Sequence, residues 1–183
     1  MPFAFDNLDE RTRSLMLSEI DLDVGNDALY KGDRLTDAGS ASWETILRDA
    51  CRTGNDATLA DALGVPGGTN LCATEPNPRS PTGEPKAVPF TAAVTMAEGE
   101  FNRFYIRALC VRAIDDGADL EIYRARPSAR PDPQSEARIG QTLDAAALLA
   151  DLRTNVGVAT ALGLPPHPNS GLSVRLKAPA PIH

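Results

Sequence analysis

Apolar residues recur at helical spacing through the first third of the chain. Leu8, Leu15, Met16 and Ile20 fall on one face, and Asn7 with Glu10 approximates a capping box, which predicts a helix beginning at Asn7 or Asp9. The acidic run Asp21–Asp27, with Gly25 and Asn26 inside it, predicts the end of that helix. Leu29, Tyr30 and Leu35 then read as buried positions in a loop-like stretch. Trp43, Ile46, Leu47, Ala50 and Cys51 fit the i, i+3, i+4, i+7, i+8 pattern of a second helix, with Ser40 or Ser42 as its cap and Gly54 at its end. A short third helix is predicted from Asn55 or Asp56 to Leu63, stopped by Gly64, with Leu59, Ala62 and Leu63 facing inward.

The pattern breaks at Gly64. Pro66, Pro76, Pro78, Pro81, Pro85 and Pro89, together with Gly67, Gly68 and Gly83, exclude a long helix up to Pro89. Two readings of this stretch stand side by side: a disordered linker, or an arm in which Leu71–Glu75 pairs with Glu84–Val88 around a Pro-Asn-Pro turn. Beyond it, Thr95 and Glu98 predict a capped helix running to Asp116 before Gly117. Its apolar residues Phe101, Phe104, Tyr105, Ile106, Leu109, Cys110, Val111 and Ile114 surround the axis, which marks a buried central helix. Arg103 and Arg107 share one side of it, and buried guanidinium groups require partners. Asp119–Arg126 and Leu172–Leu176 alternate as strands, with Leu120 and Ile122 opposite Glu121 and Tyr123. Pro127, Pro131 and Pro133 predict a loop. A further helix starts at Asp144, with Leu143 and Leu148 as a hydrophobic staple, and runs to Thr154.

These elements add up to an α+β fold: N-terminal acidic helices (1–63), an extended Pro-rich arm or hairpin (64–94), and a central buried helix packed on a small β-sheet (95–183). The C-terminal tail is Pro-rich. With 183 residues, the chain fits one domain at the usual ~100–200 residues per domain. Apolar residues make up 42%, a little under the ~45–50% of ordinary domains. No apolar run approaches the roughly 18 residues of a membrane span, so no membrane partner is expected. Asp6, Asp9, Glu10 and Glu19 break the order of a signal peptide, and synthesis in the cytoplasm is expected.

Charge adds a division that periodicity does not show. The net charge is −7, and residues 1–63 carry all of it, with 13 acids against 6 bases; residues 98–183 hold ten of each. Of the 18 basic residues, 15 are Arg. A planar guanidinium suits carboxylate pairing, so the charges are expected to be largely paired, within the chain or across a subunit contact.

Candidate chemistry is sparse. Cys51, Cys72 and Cys110 are far apart and form no zinc pattern; Cys51 and Cys110 read as reduced core thiols, and Cys72 as the exposed one. His167 and His183 are the sole imidazoles. His167 near Ser170 lacks a nucleophile elbow and reads as a loop residue. Asp119, Glu121 and Arg124 resemble an acid-x-Lys nuclease strand, but an Arg at the wrong spacing cannot accept a proton. Val65-Pro-Gly-Gly-Thr lacks the Lys of a phosphate loop. No cofactor, metal site or catalytic group is expected. The six Arg and the aromatics of residues 101–130 are the best nucleic-acid candidate, but four acids leave that segment only +2.

In Ala97-Glu-Gly-Glu-Phe-Asn-Arg-Phe-Tyr-Ile-Arg-Ala-Leu-Cys110, in Glu121-Ile-Tyr-Arg-Ala-Arg126, and in Pro168-Asn-Ser-Gly-Leu-Ser-Val-Arg-Leu176, the chain resembles an uncharacterised family of proteins from phage and prophage regions of GC-rich bacteria. The resemblance spans the C-terminal half and implies a virion or head-assembly role. The expectation is a non-enzymatic structural subunit in the virion, as a head accessory, decoration or head–tail protein. Its partners would be copies of itself or other virion proteins. The candidate contacts are Arg103, Arg107, Arg124, Arg126, Pro76 and Pro78, with the tail 177–183. A small nucleic-acid-binding or nuclease-like protein using residues 101–130 is the first alternative, and a partner-binding regulatory module the second.

Overall fold

The computed structural model describes residues 3–128, 131–157, 160, 162–164 and 170–177. Helix α1 spans Glu10–Gly25, α2 Asp37–Thr53 and α3 Asp56–Leu63. The hairpin strands β1 (Thr74–Glu75) and β2 (Lys86–Ala87) follow, then α4 (Ala92–Asp116) and β3 (Leu120–Arg124). The chain continues through α5 (Pro133–Glu136), β4 (Thr142–Leu143), α6 (Ala145–Thr154) and β5 (Leu172–Leu176). This is the α+β architecture read from the sequence, with a central helix against a small antiparallel sheet of order β4-β3-β5.

Helix α4 is the axis of the molecule. Every residue from Phe101 to Cys110 is buried, because α1, α3 and α6 pack around the helix and the sheet meets it through β5. Burying a large apolar side chain contributes roughly 1.5–3 kcal/mol, and Phe101, Phe104, Ile106 and Leu109 are all buried in the main core. Ile114 departs from the predicted core and is exposed, on the face of the last turn of α4 away from the side that α1 covers. The main core draws on the helical unit, the arm and the C-terminal stretch, from Met16 through Val88 to Val174. Phe3, Tyr123 and Ala125 form a smaller cluster.

Several element starts differ from the sequence expectation. Asp9 caps α1, its carboxylate accepting from the Thr12 amide. Asn7 instead ties the chain to the sheet: its side-chain oxygen accepts from the Leu176 amide and its own amide donates to the Tyr105 hydroxyl. Helix α1 ends at Gly25, with Asn26 as its C-cap, at the breakers read from the sequence; inside the acidic stretch Arg48 pairs with Asp21 and Arg107 with Asp23. Helix α2 begins ahead of both predicted serine caps. Thr36 caps it, and Gly39 lies so close to Asn70 that an added Cβ would sit 2.2 Å from that residue's carbonyl oxygen. In α3 the inward residues are Asp56, Leu59 and Leu63, while Ala62 is exposed. The Asn55 cap with Thr58 makes a full capping box.

Helix α4 starts at Ala92, one turn before Thr95, so the predicted Thr95–Glu98 box does not form; the Glu98 side chain turns to Arg126. A short α5 interrupts the predicted proline loop, capped by Asp132. β3 and β5 pair antiparallel with Ile122 opposite Val174, and β4 adds Leu143 opposite Leu120. Tyr123, expected on the outer face, is buried against Phe3, with its hydroxyl donating to the Ala4 carbonyl. Asp144 caps α6 through the Ala147 amide, and the helix ends at Thr154 as read from the sequence. Tyr30, read as buried, is exposed; its ring lies where a side chain on Gly157 would have to go.

Candidate functional site

The charged groups on α4 turn inward. Arg107 is fully buried, its Nε 2.8 Å from a Glu19 oxygen and its two terminal nitrogens 2.7 and 2.8 Å from the Asp23 carboxylate. Both acids come from α1, one helical turn apart, so they face α4 as a pair. Arg153 of α6 closes the cluster with bonds of 3.0 and 2.5 Å to Glu19. Burial pushes the Glu19 carboxyl up, but hydrogen bonds from Arg153 and the charge of Arg107 outweigh it and hold the group below the ordinary glutamate value. The result is a polar clamp joining α1, α4 and α6.

Arg103, one turn earlier, is also buried, with a terminal nitrogen donating to the Asn155 carbonyl at 2.8 Å and Nε 3.8 Å from Glu100. Arg124 binds the Ser170 carbonyl at 2.5 Å and pairs with Glu136. Arg126 pairs with Glu98, and its guanidinium lies 5.2 Å from the centre of the Phe3 ring. Arg103 and Arg107, expected as assembly contacts, are buried within the subunit. Arg124 and Arg126 are occupied at the seam between the sheet and the rest of the chain.

This pattern extends across the molecule. Arg11 holds Asp116, Arg34 holds Glu75, Arg48 holds Asp21 and Glu44, Arg52 holds Asp49, Arg112 holds Asp9, and Arg175 holds Glu121 and Asp6. Arg13 and Arg138 bind backbone carbonyls instead. Among the described residues, Arg79 is the exception: its guanidinium has no partner within the chain.

Arg79 sits in the arm. The stretch between β1 and β2 is exposed at Pro76, Pro78 and Arg79 and from Pro81 to Ala87. Its base is fastened, since Glu75 pairs with both Arg34 and Lys86 and the Val88 amide donates to Ala73. Just past the base, Phe90 is 84% exposed, the most exposed large apolar side chain described, with Val94 also exposed one turn along α4. Pro76 and Pro78 therefore lie where a neighbour could reach them. Phe90 and Arg79 were not singled out from the sequence; the available signal was an aromatic residue outside any periodic pattern, beside a run of prolines.

No family model, curated protein or solved structure matches the chain.

The remaining candidates resolve plainly. Cys51 and Cys110 are reduced and buried, and burial pushes both thiols up to about 12, far from the reactive thiolate range. Cys72 is half-buried beside the Leu35 carbonyl. Among the described residues no three His, Cys, Asp or Glu side chains are grouped to hold a metal ion. Glu121 is paired with Arg175, and Arg124 points to Glu136, so the acid-x-Lys likeness has no geometric counterpart. His167 and His183 lie outside the described residues, as does most of the 177–183 tail; Ser170 accepts from the Leu172 amide. Among the described residues no helix is long and apolar enough to cross a membrane.

Proposed function

We propose that this chain is a non-enzymatic structural subunit of a larger assembly, a bacteriophage virion protein of the head surface or head–tail region. The observation that carries this reading is the distribution of arginine partners. The described guanidinium groups are engaged inside the chain except that of Arg79, which stands on an exposed, Pro-stiffened arm whose base is locked by ion pairs. Prolines limit the conformations such an arm must give up on binding, which lowers the ordering cost of a contact. Phe90 beside it supplies an apolar anchor of the kind that dominates interface energetics. The partners would be other copies of this chain or neighbouring virion proteins, and the resemblance of the C-terminal half to phage-region proteins supplies the class of assembly.

Mass spectrometry of purified particles from a host carrying this sequence tests the proposal. Stoichiometric recovery of the chain supports it, and its absence from particles removes it. R79E and F90S, both at exposed positions, should leave the purified chain folded by circular dichroism while lowering its incorporation into particles. Full incorporation of both variants counts against the arm as the contact.

A further inference from the structure

Two neighbouring segments carry exposed charges that make no ion pair among the described residues. On the loop into α2 these are Lys31 and Asp33, with Asp37 at the first position of the helix; on the arm they are Arg79 and Glu84. The segments adjoin at the foot of the arm, where Arg34 pairs with Glu75 and its carbonyl accepts from the Cys72 amide. The same loop borders the start of α4, since a Cβ added to Gly32 would lie 3.6 Å from the Met96 methyl group. Phe90 and Val94, exposed by 84% and 46%, lie just ahead of Met96 in the chain. Free charges of both signs and an exposed apolar pair therefore share one end of the molecule.

Within one copy these charges do not meet, although their segments touch. Their signs match across a gap that a second copy would close: Arg79 opposite Asp33 and Asp37, Glu84 opposite Lys31. A patch holding both halves of such a match is self-complementary about a two-fold axis. We propose that the arm docks on the 31–37 loop of a second copy of this chain, reciprocally, in a two-fold dimer. Phe90 and Val94 supply the apolar surface that carries affinity, while the charge pairs fix the register. A phosphate chain suits this end poorly, because Glu84 offsets Arg79 and Lys86 is committed to Glu75. The inference rests on the assembly reading in taking the arm as a contact, and adds the partner and the residues that it offers.

Sedimentation of the purified full chain from about 1 to about 200 μM tests the dimer. The native chain should pass from monomer to dimer, and F90S should weaken association at least about tenfold. R79E alone and D33R/D37R alone each set like charges against one another at both halves of the contact, so each should stay monomeric. Mixed in equal amounts they should form a one-to-one heterodimer, because one half then joins reversed charges of opposite sign and the other half is native. Circular dichroism checks folding; because Asp37 opens α2, D33R alone replaces the double variant if that variant is unstable. A native chain that stays monomeric throughout overturns the proposal. So does a dimer that R79E and D33R/D37R leave intact, or a mixture of the two that stays monomeric. A chain that dimerises in this pattern but is missing from particles keeps the dimer and removes the virion role, so the two failures are distinct.

Discussion

Arg107 shows how a single residue can tie a small α+β fold together. Its guanidinium makes three hydrogen bonds to two carboxylates from α1, and Arg153 of α6 shares one of them. Removing one side of such a pair leaves charge buried without compensation, so R107A should lower unfolding free energy by about 3–5 kcal/mol. Chemical denaturation measures this directly, and a loss under ~1 kcal/mol would mean that water reaches the site. Two glutamates at the same seam give opposite pH responses. Glu19, held below its ordinary value, contributes stability above that value and loses it as pH falls through the lower folded value. Glu100, pushed up to about 7, contributes stability that is complete below the ordinary glutamate value and lost as pH rises through about 7. The urea midpoint should therefore fall between about pH 5 and about pH 7 in the native chain, level off above that, and stay flatter in E100Q.

At the scale of elements, periodicity located the helices well and their starting points poorly. The bodies of α2, α3 and α6 and the Gly54, Gly64 and Gly117 ends follow from spacing, because a buried face and a breaker are local properties of the chain. The start of α2 does not, since Thr36 and Gly39 are fixed by the loop at Thr69–Asn70, which is distant in sequence. T36A should cost about 1 kcal/mol through the lost cap. G39A should cost more, because its Cβ would meet the Asn70 backbone 2.2 Å away and backbone cannot swing aside as a side chain can. Thermal melts of the two variants give the order, and an equal or smaller shift for G39A would show that the loop moves freely. The Thr95–Glu98 signature misled for a related reason: Glu98 has a stronger option in Arg126, and the helix gained a turn from Ala92.

At the scale of the whole molecule, the acid–base imbalance acquires a geometry. The first third carries the −7, and part of that excess is neutralised by arginines from residues 98–183: Arg107 and Arg153 on Glu19 and Asp23, Arg112 on Asp9, Arg175 on Asp6. The two ends of the chain are thus held partly by long-range ion pairs, and the Arg-rich segment has little charge left for phosphate. Salt-dependent DNA binding should accordingly be absent at physiological ionic strength in a mobility-shift assay, and a steep salt slope would contradict this. Replacing residues 76–85 by a short Gly-Ser turn should change the melting temperature by only a few degrees, because that stretch buries little surface.

The α+β class, the buried character of the central helix and the expectation of paired arginines were legible in the amino-acid sequence, because each depends on local spacing or on composition; the arm was open between a linker and a hairpin, and its register, Glu75 opposite Lys86, was not. Which acid each arginine meets was not. Glu19, Asp23 and Arg153 lie far from Arg107 along the chain, and only the packing of α1 and α6 on α4 brings their charges within hydrogen-bond distance. The same packing turned Arg103 and Arg107 inward and left Arg79 and Phe90 on the outside. Those outcomes belong to the tertiary structure, since burial and partner choice are properties of surfaces in contact, and one-dimensional order does not specify them.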